Sequence, residues 1–179
     1  TADSNFNNKK AMKDIRKEIS SDGTQKTMSV LYEISNAVNT TDNLSDLYQS
    51  IYNSLNRLIK LPNCFIALVD RSEKRLSFPF FVDEHDTKAF ISKKIEKYEE
   101  SPSNTSRVIL SKTCLLLDQE WLQEKRKANK IIGTVPAIWL GVPLIVRDEV
   151  IGVMVVQHYS DPGYFKQKDV DLLMAVSDQ

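Results

Sequence analysis

Two histidines, two cysteines and one basic run are the side chains whose chemistry most narrows what this sequence of 179 residues does. His85 stands in Asp83-Glu84-His85-Asp86, a string made entirely of potential metal ligands. Ligands that enclose a metal normally converge from separated elements, so four neighbours in a row read as a solvated acidic loop. His158 follows Gln157 at the end of the apolar run Val150–Val156. With a period of two, His158 shares a face with Met154 and Val156, and Gln157 shares the other with Val155 and Tyr159. An unpaired polar group costs about 1–3 kcal/mol when buried. Each of the two therefore needs a partner, which is backbone or water in one reading and a bound ligand in the other.

Cys64 and Cys114 form no CxxC pair and have no histidine at metal-ligand spacing. They read as buried thiols of a reducing cytoplasm. The basic run Glu124-Lys125-Arg126-Lys127-Ala128-Asn129-Lys130 reads as a solvated helix face. Lys plus Arg equal Asp plus Glu at 24 each, without the cationic surplus that displaces counterions from nucleic acid. No Gly-x-Ser-x-Gly elbow, Gly-rich phosphate loop or nucleophile–base pair is present, so the sequence is expected not to be an enzyme. Its apolar runs fall short of the ~18–20 residues of a membrane span. A chain that is 41% hydrophobic and 27% charged has ordinary globular composition.

The elements that must position these residues follow from periodicity. A short charged helix is predicted over Lys9–Ser20. A second begins near Thr24, with Met28, Leu31, Ile34 and Val38 as its stripe. A third runs to about Lys60 behind the polar break Asn39–Asn43, with Leu44, Leu47, Ile51, Leu55 and Leu58 on one face. Cys64–Val69 and Leu76–Val82 read as a hairpin turned at Asp70–Glu73. Thr87–Glu100 reads as a charged helix, Ser106–Leu110 as a short one, Cys114–Leu117 as a strand and Gln119–Lys130 as a helix. Ile138–Val146 and Val150–Tyr159 form a second hairpin turned at Arg147-Asp148-Glu149, and Lys166–Gln179 a final helix. Both of these strands are apolar at odd and even positions alike, so they must be covered on both sides. The fold class is α+β: a central antiparallel sheet with the terminal helices on one face and the middle helices and loops on the other. The first residue is Thr and the last helical pattern reaches Gln179 without a stop, so the sequence reads as a piece of a longer polypeptide.

The order of these elements, and Trp139-Leu140-Gly141-Val142-Pro143-Leu144-Ile145-Val146-Arg147-Asp148-Glu149-Val150-Ile151-Gly152-Val153-Met154-Val155-Val156-Gln157 above all, resembles a GAF domain. Tyr164–Leu173 is similar to the segment that opens the family's closing helix. Leu31–Thr41, Ile66-Ala67-Leu68 and Leu76–Glu84 look like a bacterial subgroup found beside histidine-kinase, diguanylate-cyclase or PAS modules. The resemblance divides the chain into a helical extension over 1–26 and a sensory domain over 27–179. Related domains usually carry glycine where Ser103 and Lys112 stand, and proline where Cys114 stands.

The resemblance implies a cytoplasmic sensor that homodimerises through Met28, Leu31 and Val170 on its terminal helices and relays ligand state to an adjacent effector. It places any cavity between the sheet and the region 87–136, with Phe65, Phe80, Trp121, Trp139 and His158 as candidate ligand contacts. Phe81 is a further aromatic of that group. The cofactor is left unknown. Asn129-Lys130 opens the signature of cyclic-nucleotide-binding relatives, but Gly133 and Ala137-Ile138 depart from it. The Cys-His attachment motif of bilin binders is missing, no haem or metal motif is present, and two isolated cysteines do not supply the thiol exchange of methionine-sulfoxide-reducing relatives. A ligand-free dimerisation or spacing module is the alternative.

Overall fold

Helices form in this protein where an apolar stripe follows a polar cap, and strands where apolar residues run on unbroken. The computed structural model describes residues 23–89, 97–128 and 132–178. The helix expected over Lys9–Ser20 and the middle half of the one expected over Thr87–Glu100, residues 90–96, lie outside the described residues.

Residues 23–40 form helix α1. It turns Val30 and Ile34 into the core and leaves Met28, Tyr32 and Val38 exposed. The predicted stripe is thus rotated: Ile34 is its centre, Leu31 is half-buried at its edge, and Met28 and Val38 face outward. Helix α2 (Leu44–Leu58) starts at Asn43, whose side chain accepts from the Ser45 N–H at 2.9 Å, filling a donor that the helix itself leaves empty. Leu55 is fully buried, and Leu44, in the first turn, is exposed. An ion pair between Glu33 and Arg57 ties α1 to α2.

The strands are β1 (Asn63–Asp70), β2 (Arg75–Val82), β3 (Leu115–Leu117), β4 (Ile138–Val146) and β5 (Glu149–His158). They pair antiparallel in the order β2-β1-β5-β4-β3. The turn between β4 and β5 is the two residues Arg147 and Asp148, both at positive φ (50° and 64°), the backbone of a tight hairpin that matches strand twist. Helices α3 (Asn104–Ser111), α4 (Gln119–Lys127) and α5 (Gln167–Ser177) complete the described elements.

Every central strand is buried on both sides. On one face Val30, Ile34 and Leu55 of α1 and α2 and Leu172, Leu173 and Val176 of α5 pack on Cys64, Ile66, Leu140, Val142, Met154 and Val156. On the other, Val108 and Ile109 of α3, Leu122 of α4 and Tyr98 pack on Phe65, Ala67, Trp139, Val153 and Val155.

A bulge alters which residues reach which face. Ile66 pairs with Phe80 but Leu68 with Ser77, so β2 carries one extra residue there. Pro79 sits in that irregularity on an edge strand, where a missing N–H is tolerated. The extra residue reverses the alternation. Phe78 packs on the α3/α4 face and Phe80 on the α1/α2/α5 face.

Candidate ligand-binding hollow

At the ends of β1, β2 and β5 the sheet meets the start of α3 and the loop before β4, and the space between them stays open as a hollow of about 40 Å³. Its floor is aromatic. Phe65 and Phe81 stack with ring centroids 5.4 Å apart, and the Trp139 ring lies against Gly141. A Cβ built there would fall 2.3 Å from the Trp139 ring, so only glycine at 141 leaves the indole its place.

The walls are polar and tightly tied. Gln157 Nε2 donates to Asp83 Oδ2 (2.6 Å) and to the Tyr159 hydroxyl (2.9 Å), which donates in turn to Asp83 Oδ1 (2.8 Å). The same Oδ1 accepts the backbone N–H groups of His85 (2.9 Å) and Asp86 (2.8 Å). Asp86 receives the Thr134 N–H at Oδ2 (2.8 Å) and the Thr134 hydroxyl at Oδ1 (2.9 Å). Fully buried Asn63 braces the loop from behind, donating to Glu84 Oε2 at 2.9 Å and accepting the Glu84 N–H at 2.7 Å. Burial, the hydrogen bond to Asp83 and the charges of Asp83, Asp86 and Glu84 push the Tyr159 phenol far above its ordinary range. The field here is negative.

The third wall is the N-terminal turn of α3. Ser103 caps it, its hydroxyl accepting the Ser106 N–H at 3.1 Å. Ser103, Asn104, Thr105 and Ser106 are all buried, a run of polar side chains in the interior. Asn104 is 8% exposed and its Oδ1 accepts no hydrogen bond. Buried polar atoms are nearly always paired, so an orphan in the wall of a hollow marks a place where a ligand or water belongs.

Of the candidate contacts read from the sequence, Phe65 and Trp139 line this hollow. Phe80 does not: the bulge at Pro79 carries it to the opposite face, where it lies 5.1 Å from Tyr52. Trp121 is half-buried outside the hollow, beneath the Arg107 guanidinium at 4.4 Å. His158 points to the α1/α2/α5 side, stacks on Tyr164 at 4.0 Å and accepts the Asp161 N–H at Nδ1 (3.0 Å). Its partner is a ring and a backbone amide of its own chain, whereas its neighbour Gln157 faces the hollow. His85 rests edge-on to Tyr159 at 4.3 Å, and among the described residues no cluster of His, Cys, Asp and Glu is placed to hold a metal.

Reading by residue type missed Asp83, Asp86, Asn104 and Thr134 as wall residues. The available signals were the unbroken polar run Ser103–Arg107 between apolar neighbours and the parity that separates Gln157 from His158. Cys64 is buried on the α1/α2/α5 face, and desolvation raises its thiol to about 12; Cys114 is half-buried and also raised by desolvation. Neither thiol lines the hollow.

A second, larger groove of about 660 Å³ runs between α1 and α5, with Met28, Leu31, Ile59, Leu172 and Ala175 along it. Among the described residues no helix is long and apolar enough to cross a membrane.

Known proteins share this architecture. The GAF domain of a phosphoenolpyruvate-protein phosphotransferase from Acinetobacter superposes with a TM-score of 0.66 at 19% identity, covering 84% of this chain and 87% of that one. A methyl-accepting chemotaxis protein fragment matches with a TM-score of 0.65 at 15% identity, covering 81% and 90%. The free methionine-R-sulfoxide reductase of Neisseria meningitidis, solved with its substrate, matches with a TM-score of 0.63 at 14% identity, covering 84% and 83%. No curated protein sequence matches this chain. The GAF domain family model matches residues 41–179, which spans the five strands, the hollow and α5, and the chain belongs to the GAF domain family.

Proposed function

We propose that this chain is a small-molecule-sensing regulatory module of a multidomain bacterial signalling protein, working in the cytoplasm and without catalysis of its own. The observation that carries the reading is the orphaned, buried Asn104 Oδ1 in the wall of a hollow whose other side is tied by the Asp83–Gln157–Tyr159 and Asp86–Thr134 hydrogen bonds. A ligand there touches β5 through Gln157 and α3 through Asn104. Strands β1 and β5 carry the side chains on which α1 and α5 pack. Binding that favours one arrangement of those helices passes a bias to an attached effector, of the histidine-kinase or diguanylate-cyclase type. Near-complete switching takes about 5.5 kcal/mol of differential binding.

Homodimerisation through the terminal helices belongs to this reading, with a change in the residues assigned to it. Leu31 and Val170 are half-buried against this chain's own core, so charging either one damages the fold itself. Met28 and Tyr32 are 62% and 74% exposed and present the cleaner surface. Met28→Glu and Tyr32→Glu are expected to leave the melting temperature in place and to weaken self-association in analytical ultracentrifugation.

Native mass spectrometry of the gently purified chain, compared with its denatured mass, tests the sensing reading. Added mass that vanishes on denaturation supports it. A bare dimer across several preparations favours the ligand-free dimerisation module instead, a reading helped by the contrast between the 40 Å³ hollow and the 660 Å³ groove between the terminal helices.

A further inference from the structure

The class of ligand follows from the sign of the hollow's walls, an inference that rests on the sensing reading above. Among the described residues, its charged members are Asp83 and Asp86, and the other polar ones are Ser, Asn, Thr and Gln side chains. The two carboxylates are not equally available. Asp83 already accepts four hydrogen bonds, three at Oδ1 and one at Oδ2. Among the described residues Asp86 accepts two, both from Thr134, against a carboxylate's four acceptor sites. Asn104 adds an amide oxygen without a donor. A site with such a carboxylate, an orphan acceptor and an aromatic floor asks for a cationic donor with an apolar body.

We propose that the hollow recognises the protonated amino group of a small organic compound, bound by Asp86 and the Asn104 amide oxygen, with the compound's apolar part against Phe65 and Trp139. The competing features are the Arg107 guanidinium, whose buried Nη1 has no partner but which lies over Trp121 outside the hollow, and the start of α3, whose first N–H groups favour an anion. That end amounts to about half a unit of positive charge, and the Ser103 hydroxyl already takes the Ser106 N–H. Two full carboxylates outweigh it.

Three matched three-carbon probes separate the possibilities: propylammonium, propionate and propan-1-ol, titrated into the ¹⁵N-labelled chain while the amides of Asp86, Asn104 and Thr105 are followed. Propylammonium is expected to shift them saturably and to bind at least ten-fold more tightly than either partner. Asn104→Asp is expected to tighten that binding by about ten-fold, as a charge-assisted bond replaces a neutral one. Asn104→Leu, which keeps the branching of the side chain and removes the acceptor, is expected to weaken it by a similar factor. Propionate binding more tightly than propylammonium overturns the amine assignment, as does propan-1-ol matching the amine or an Asn104→Leu variant that binds it unchanged. Each of those results leaves the hollow as a ligand site and the sensing reading in place. Silence from all three probes overturns the amine assignment as well. The native mass then separates the two ideas, because an adduct of other chemistry keeps the sensing reading and a bare chain removes it.

Discussion

The same strands present two faces that differ in what they bury. On the α1/α2/α5 side the interior is a continuous apolar block from Val30 to Val176. The buried polar residues there, among those described, are Ser54, which meets Glu33, and Asp169, whose carboxylate accepts the Lys166 N–H at 2.8 Å and so caps α5. On the α3/α4 side the buried set includes Ser103, Asn104, Thr105, Ser106 and Gln157 around the hollow, with Asn63 behind it. One side is closed chiefly by apolar contact, and the other by hydrogen bonds that leave the Asn104 amide oxygen and the Arg107 Nη1 without partners. Stability is concentrated where water is excluded. Specificity requires the side that keeps a polar demand unmet, because only a group with the right donors can meet it.

The largest test of that contrast lies in the dry block. Leu140 is fully buried at its centre, between Val142 and Val156. Leu140→Ala is expected to destabilise the chain by about 3 kcal/mol, the transfer loss plus the cavity left behind. Urea denaturation gives the figure directly. A loss below about 1 kcal/mol would mean that the block is loosely packed and that the contrast between the faces is overstated.

Cys64 tests the same block by pH. Its folded thiol sits at about 12 against an ordinary 9.0, so the folded chain holds its proton where the unfolded chain releases it. Below pH 9 both states are protonated and the thiol adds no pH dependence. As the pH rises from 9 towards 12, the unfolded state gains by deprotonation, and stability falls at about 1.4 kcal/mol per pH unit from this group. Cys64→Ala is expected to start from a lower stability at neutral pH and to lose less of it on the way to pH 11. Parallel curves for the two proteins would show that water reaches Cys64 and that the face is wetter than its burial indicates.

The contrast also marks where sequence reasoning reached and where it stopped. Strand and helix positions were legible because an unbroken apolar run and a 3.6-residue stripe are local signals, as in Val150–Val156 and in Leu55 with its neighbours. Coverage of the sheet on both faces followed from the same runs. The facing of Phe80 was not legible by alternation, since one extra residue at Pro79 reverses it, although a proline inside an apolar run is itself the sign of such a break. Gln157 and His158 were correctly parted by period two, but parity alone does not say which face holds a hollow. That depended on where α3 starts, and so on Ser103 acting as a cap with its polar neighbours turned inward. Met28 fell on the predicted stripe and faces outward because the centre of the stripe is set by the sheet beneath, with Val30 and Ile34 seated on it.

The smallest expected effect concerns the wet side. Lys112 ends α3 in the left-handed region at φ 55°, its N–H bonded to the Val108 carbonyl at 2.9 Å. A side chain in that conformation costs about 1 kcal/mol or more, which glycine avoids. Glycine in turn gains freedom in the unfolded chain, an opposing term of about 0.4–1 kcal/mol. The Lys112 Nζ also donates to the Asp148 carbonyl at 3.1 Å, an exposed contact of small value. Lys112→Gly is therefore expected to stabilise the chain by about 0.5 kcal/mol, read as a small rise in the urea midpoint, and to leave propylammonium binding unchanged because Lys112 does not line the hollow. A fall in the midpoint would show that the lysine's hold on the β4–β5 turn outweighs the backbone strain. In that event α3 is fixed at its far end by this tether, and the polar turn facing the hollow keeps its place through a contact at the opposite end of the helix.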